Sequence, residues 1–268
     1  LLVEIPSQSW SILLLMNLCL LMSSLPGNTW NDVSVTEEQL RTDHGGAVRM
    51  SVHVPSGGGR LPAIVVAPGR GYHRGLPIPV RLCELAAERG LVAVRFDWAY
   101  TDAKSAPSAG LVNELVEMQA VVDWLRRHPR VDGSQILITG KSLGSIVAWR
   151  LAQRDPEILG VALLTPVIPE RDGGARYYSG LTMEKRPVAI LVGSNDPQNC
   201  PIPNLYYAVK DASSNVSVLV VPGDHGLEVA DALTSDGSPQ NCDNIEAAMR
   251  VLVEWARSAA RGGRPVTT

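Results

Sequence analysis

Ile136-Leu137-Ile138-Thr139-Gly140-Lys141-Ser142-Leu143-Gly144 is the stretch on which the reading of this chain turns. Its first four residues are a short aliphatic and β-branched run, the pattern of a strand buried on both faces of a parallel sheet. The next five read Gly-x-Ser-x-Gly, and an apolar helix is expected to follow as far as Gln153. Small residues two places either side of a serine let the chain turn sharply from strand to helix. The turn leaves the hydroxyl exposed at the head of the helix, in strained backbone. A plain turn ending in a serine N-cap would carry the same short string. The strand before it and the helix after it favour the first reading.

The alternation of strand and helix continues in both directions. Upstream, Pro62–Ala67 and Leu91–Phe96 are apolar strands, with a helix over Val80–Arg89 between them that Gly90 stops. Gly110–His128 predicts a long helix with Val112, Leu115, Val116, Val122 and Leu125 on its apolar face, ended by Pro129. Earlier still, a strand starts near Val33, and Ala47–Val54 alternates as an exposed antiparallel strand would. Downstream, Val161–Leu164, Val188–Val192 and Val216–Val221 are strands. A helix near Asn204–Ala212 separates the last two, and an amphipathic helix over Asn244–Arg261 closes the chain. Thr165–Arg186 carries no clear element and is too short for a lid domain, but it could cover a substrate. Such regular alternation predicts an α/β fold with a mostly parallel sheet covered on both faces. One catalytic domain over residues 31–268 would follow an apolar segment at 1–30.

A serine hydroxyl is a weak nucleophile at neutral pH and needs a base within hydrogen-bond reach, itself oriented by an acid. Asp196 lies just past the Ala189–Gly193 strand and His225 just past Ser217–Val221, so both fall at C-terminal strand ends, where such sheets bind their ligands. Ser142, Asp196 and His225 therefore form the candidate catalytic set. Asp224 and Asp97 are rival acids. Asp224 is adjacent to the histidine, and neighbouring side chains seldom aim at each other; Asp97 ends an earlier strand. His44, His53, His73 and His128 follow no late buried strand and read as ordinary structural or exposed histidines. Charge developing on an acyl oxygen needs backbone donors. The N–H of Leu143, at the head of the helix, is one, and the N–H of Arg70 in the Gly69-Arg70-Gly71 loop is the other. A plain glycine-rich turn is the alternative for that loop.

At these residues the chain resembles the α/β-hydrolase superfamily over roughly Ala47 to Arg261. It is similar to small lidless members such as the dienelactone hydrolases. The Gly140-Lys141-Ser142-Leu143-Gly144-Ser145 string and the Val94-Arg95-Phe96 strand end also make it resemble the testis-expressed and histone-acetyltransferase-complex hydrolase-like proteins. The resemblance implies an α/β-hydrolase fold, a Ser142–His225–Asp196 triad, hydrolysis of small to medium carboxylic esters and no cofactor or metal. Two departures stand out. Pro68-Gly69 occupies the place of the His-Gly found in many relatives, and Ser142 replaces the cysteine of dienelactone enzymes. A thioester or amide could use the same residues, and a catalytically silent binding protein is the alternative of a different class.

Composition narrows the partners. Hydrophobic residues make up 45% and charged residues 19%, which is a globular balance. The net charge of -3 gives no electrostatic footprint for nucleic acid, and the lysines (Lys104, Lys141, Lys185, Lys210) do not cluster. A small-molecule substrate is expected, with no nucleic acid, no stable membrane span and an undecided choice between monomer and homodimer. Trp10–Met22 is uncharged and apolar, too short for a comfortable span but suited to the core of a signal peptide. Glu4 and the lack of a basic flank count against that, leaving a packing arm as the alternative. Cys200 and Cys242 each end a Pro-Gln-Asn-Cys string in a loop near the sheet's C-terminal edge. A Cys200–Cys242 disulfide is therefore expected, and with it a secreted or periplasmic location, with two reduced thiols in a cytoplasmic enzyme as the alternative. Cys19 and Cys83 read as buried hydrophobes, and no cysteine pair has zinc-site spacing.

Overall fold

In the computed structural model, residues 32–42, 46–229 and 241–262 are described. The chain runs β1 (Val33–Arg41), β2 (Ala47–Pro55), β3 (Leu61–Ala67), α1 (Pro77–Glu88), β4 (Val92–Asp97), α2 (Ala99–Asp102) and α3 (Val112–Arg127). It continues β5 (Val131–Lys141), α4 (Leu143–Arg154), β6 (Gly160–Leu164), α5 (Gly173–Tyr177), β7 (Val188–Gly193), α6 (Ile202–Val209), β8 (Val216–Val221) and α7 (Asn241–Ala260). The strands form one sheet in the order β1-β2-β4-β3-β5-β6-β7-β8. The β1–β2 and β2–β4 pairs are antiparallel and the remaining pairs are parallel.

Strand side chains alternate between faces, and in the middle of the sheet both faces are dry. On β3, Ala63, Val65 and Ala67 enter a core shared with Leu115, Met118, Val122 and Val147 from α3 and α4. Ile64 and Val66 enter the opposite core, with Leu82 and Leu85 of α1 and Met249 and Leu252 of α7. This double burial is why β3, β5, β6 and β7 read as unbroken apolar runs. The chain leaves β3 for β4 on one side and returns past β3 to β5 on the other. That reversal opens a crevice at the C-terminal ends of β3 and β5, the place such sheets use for ligands.

Two local expectations are corrected. β2 is not an exposed strand: it pairs on both sides, and Val48, Met50 and Val52 are fully buried. On α3, Val112 and Val116 are 61% and 42% exposed, and the buried face is Glu114, Leu115, Glu117, Met118, Val121, Val122 and Leu125. The two carboxylates turn inward because the segment after β4 needs acceptors. Glu114 accepts from the N–H and hydroxyl of Ser108, and Glu117 from the Ala99 N–H. Such bonds offset the burial of polar groups. Among the described residues no helix is long and apolar enough to cross a membrane. The signal-peptide expectation at Trp10–Met22, Cys19 and His44 fall outside the described residues.

Candidate active site

The turn at Ser142 joins β5 directly to α4, and Ser142 adopts φ 51°, ψ -116°. A non-glycine residue there is strained, and only surrounding structure holds it. Both motif glycines are required by close approach. A Cβ on Gly140 would overlap the Gly144 carbonyl, and one on Gly144 would stand 2.6 Å from the Ala67 and Pro68 carbonyl oxygens. Ladder and side chain then clamp the turn. Ser142 N–H donates to the Leu164 carbonyl at 2.9 Å, and its own carbonyl accepts from the N–H and hydroxyl of Ser145 at 2.9 and 2.5 Å.

That clamp extends into the segment between β6 and β7. Because the Ser145 proton goes to the Ser142 carbonyl, the 2.7 Å contact between Ser145 Oγ and Tyr178 Oη has Tyr178 as donor. Tyr178 in turn accepts from the Val167 N–H at 2.9 Å. Tyr178 is 1% exposed, and burial raises its pKa, so it stays a neutral donor. The stretch Thr165–Arg186, left without a clear element in the sequence, is therefore pinned to the turn at Ser142 and contains the short helix α5. Sequence reading missed Ser145 and Tyr178. Ser145 is the position after the motif, and Tyr178 had no local signal.

Past β7, Asp196 is 4% exposed. Its Oδ2 lies 2.5 Å from His225 Nδ1, and its Oδ1 accepts from the N–H and the side-chain amide of Asn199 at 3.2 and 2.9 Å. Burial pushes this carboxyl up, but the bonds from His225 and Asn199 outweigh it and hold the group below its ordinary value. A carboxylate accepts only, so His225 Nδ1 carries the proton and Nε2 is left as an acceptor. The loops meet through backbone as well, with Ser194 N–H on the Val221 carbonyl and Asn195 N–H on the Gly223 carbonyl, both at 2.8 Å. On the other side Lys141 Nζ donates to the His225 carbonyl at 2.9 Å. Among the described residues no hydrogen bond joins Ser142 Oγ to the imidazole, whose bond is to Asp196.

The rival acids are engaged elsewhere. Asp97 ion-pairs with the Arg74 guanidinium and accepts the Arg74 N–H at 2.7 Å. Asp224 Oδ1 accepts from the N–H groups of Gly226 and Glu228 at 2.6 and 3.0 Å, closing the loop that carries the histidine. His53 is buried beside Arg95, and burial with that charge lowers its pKa to about 4. The loop after β3 comes close to the serine, since a Cβ on Gly69 would stand 3.3 Å from Ser142 Cβ. Trp98 Nε1 donates to the Pro68 carbonyl at 2.9 Å and fixes the loop's root. Arg70 itself is exposed, at the turn that Tyr72 N–H closes on the Gly69 carbonyl. The Leu143 N–H lies at the first turn of α4.

The expected Cys200–Cys242 bridge involves a side chain outside those described, that of Cys242. Cys200 is a free thiol, fully buried in the core beside Ile168 and Leu205. Burial pushes the Cys200 thiol up to about 12, which makes it an inert packing group. The first Pro-Gln-Asn-Cys string has another use: Asn199 holds the acid, and Cys200 N–H donates to the Asp196 carbonyl at 3.0 Å. Among the described residues no cluster of His, Cys, Asp and Glu could hold a metal ion.

Residues 61–257 match the family described as an alpha/beta hydrolase domain. No curated protein sequence matches the chain. Among solved structures, a candidate dienelactone hydrolase from Klebsiella pneumoniae is 18% identical over 85% of this chain and 99% of its own, at a TM-score of 0.61. Brefeldin A esterase, a bacterial homologue of human hormone-sensitive lipase, is 20% identical over 89% of this chain and 80% of its own, at 0.62. A lidless α/β serine hydrolase from Xanthomonas campestris is 14% identical over 88% and 97%, at 0.61. At such identities the likeness is one of fold.

Proposed function

Because the chain belongs to the α/β-hydrolase family, we propose that it hydrolyses carboxylic esters of small to medium acyl groups through Ser142, His225 and Asp196. The observation that carries this reading is the 2.5 Å contact between His225 Nδ1 and Asp196 Oδ2, on a histidine loop whose His225 carbonyl is held by Lys141, the residue before the serine. His225 Nε2 takes the Ser142 proton as Oγ bonds to the acyl carbon. The carbonyl π pair moves to oxygen, held by the N–H groups of Leu143 and Arg70. The imidazolium then protonates the departing alkoxide, leaving an acyl-serine. Water, deprotonated by the same imidazole, attacks that ester, and the proton returns to Ser142 as the carboxylic acid leaves. Asp196 keeps the imidazole in one tautomer and offsets its transient charge.

A short, pinned segment between β6 and β7 favours soluble substrates of modest size over interfacial lipids. Two of the structural neighbours, the esterase and the lidless serine hydrolase, carry descriptions in line with this reading. The test is labelling with a fluorophosphonate followed by hydrolysis of a p-nitrophenyl ester series. Wild-type protein should label on Ser142 and prefer short chains. Ser142→Ala should fail to label and lose about 10⁶ in kcat, as serine triads do. Labelling at any other residue, or ester hydrolysis retained by Ser142→Ala, would overturn the assignment.

A further inference from the structure

Lys141, the residue between Gly140 and the serine, has no part in the reaction just described. Lysine is rarely buried, yet this one is only 5% exposed. Its ammonium donates to the main-chain carbonyl of His225 and sits 4.8 Å from the centroid of the Tyr72 ring. The ionisable groups facing it are Asp196 after β7, Asp224, His225 and Glu228 after β8, and Tyr72 after β3. Burial pulls its pKa down to about 8, against the three carboxylates, which raise it. Between that value and 10.5 the unfolded chain binds the proton more tightly, so stability rises with pH through this window. The charge is thus a liability to the fold at neutral pH, which a methionine of similar length would remove. A group that weakens the fold while gripping one atom of the histidine loop is placed there for something other than stability.

We propose that Lys141 is a positioning residue: its ammonium clamps the His225 carbonyl to the end of β5, so the strand that delivers the serine also sets the distance of its base. The inference rests on Ser142 and His225 being nucleophile and base. A hydrogen bond from an ammonium is about twice as strong as one from a neutral amine. Losing the proton therefore loosens the clamp, and the hydrolysis rate falls on the alkaline side. Tyr72, whose pKa burial raises, stays neutral through that range.

The experiment measures kcat and KM for p-nitrophenyl butyrate from pH 6 to 10, with spontaneous hydrolysis subtracted, for wild type, Lys141→Met, Lys141→Gln and Ser142→Ala. Wild-type kcat should drop about tenfold as pH rises through about 8. Lys141→Met should show a kcat about tenfold lower at pH 7, a KM within about threefold, no alkaline fall and an undiminished Tm. Lys141→Gln, a neutral donor, should restore part of kcat and also lack the alkaline fall. An alkaline fall that persists in Lys141→Met, or a wild-type kcat in that variant, would overturn the clamp. So would a wild-type rate that stays level above pH 8, a result that stands even if both variants fail to fold. Activity retained by Ser142→Ala would instead remove the nucleophile assignment, so the two failures are told apart.

Discussion

Ser142 sits at a positive φ, and the cost of that conformation is met by neighbours that local sequence does not advertise. Tyr178 Oη carries the clamp through Ser145 to the Ser142 carbonyl. Tyr178→Phe removes the acceptor of the Val167 N–H and should lower stability by about 1–3 kcal/mol, read from the denaturation midpoint at constant m-value. An unchanged midpoint would show that Val167 finds another acceptor. Asn199 acts in the same indirect way on the acid, as two of the hydrogen bonds that hold the carboxylate come from it. Asn199→Ala should reduce kcat by about tenfold and leave KM near its wild-type value, because orientation of the imidazole rather than substrate binding is disturbed. A loss in KM alone would place Asn199 in the binding pocket instead.

Helix α3 tests how packing is assigned at the scale of an element. Its apolar residues allow more than one face to be drawn, and the carboxylates Glu114 and Glu117 decide which one turns inward. Met118→Ala, at a fully buried site, should cost about 2–5 kcal/mol, whereas Val116→Ala, at a site 42% exposed, should stay within about 0.5 kcal/mol. Equal losses at the two positions would reverse the face. The turn at Ser142 is less forgiving. Gly144→Ala brings a methyl within 2.6 Å of two carbonyl oxygens on the β3 loop. That loop must move away from Ser142, so activity should fall further than stability does.

At the scale of the molecule, acid resistance depends on a few carboxylates whose partners lie on different elements. Glu184, after α5, binds Arg186 and the Gln153 amide of α4, and these bonds, led by Arg186, hold its pKa at about 2 against burial. Its folded-state value lies below its unfolded one, so its contribution is complete above about 4.5 and is lost as pH falls towards 2. Glu184→Gln should therefore lower Tm near neutral pH and flatten its fall between pH 4.5 and 2. Parallel Tm–pH curves for the two proteins would show that Arg186 and Gln153 do not lower the pKa of Glu184 in the folded state. With Cys200 a free buried thiol, the described structure holds the acid and histidine loops together by backbone hydrogen bonds and the Asp196–His225 contact.

The order of elements was legible in the sequence because the middle of the sheet is dry on both faces. Runs such as Ile136–Thr139 and Val188–Val192 then stay apolar throughout, and glycine and proline mark their ends. The Gly140–Gly144 string also carried its own steric reason, since close backbone approach excludes any larger residue at its two ends. What lay beyond the sequence were the choices made by contacts between distant segments. Asp196 could be chosen over its rivals from its place after a late strand, but the side chain that steadies it, Asn199, looked instead like part of a cysteine motif. The face of α3 depends on where the chain after β4 needs acceptors. Periodicity and turn chemistry act over a few residues and are written locally. Partners 29 residues apart, as Asp196 and His225 are, or 84 apart, as Lys141 and His225 are, meet only once the sheet has ordered its strands.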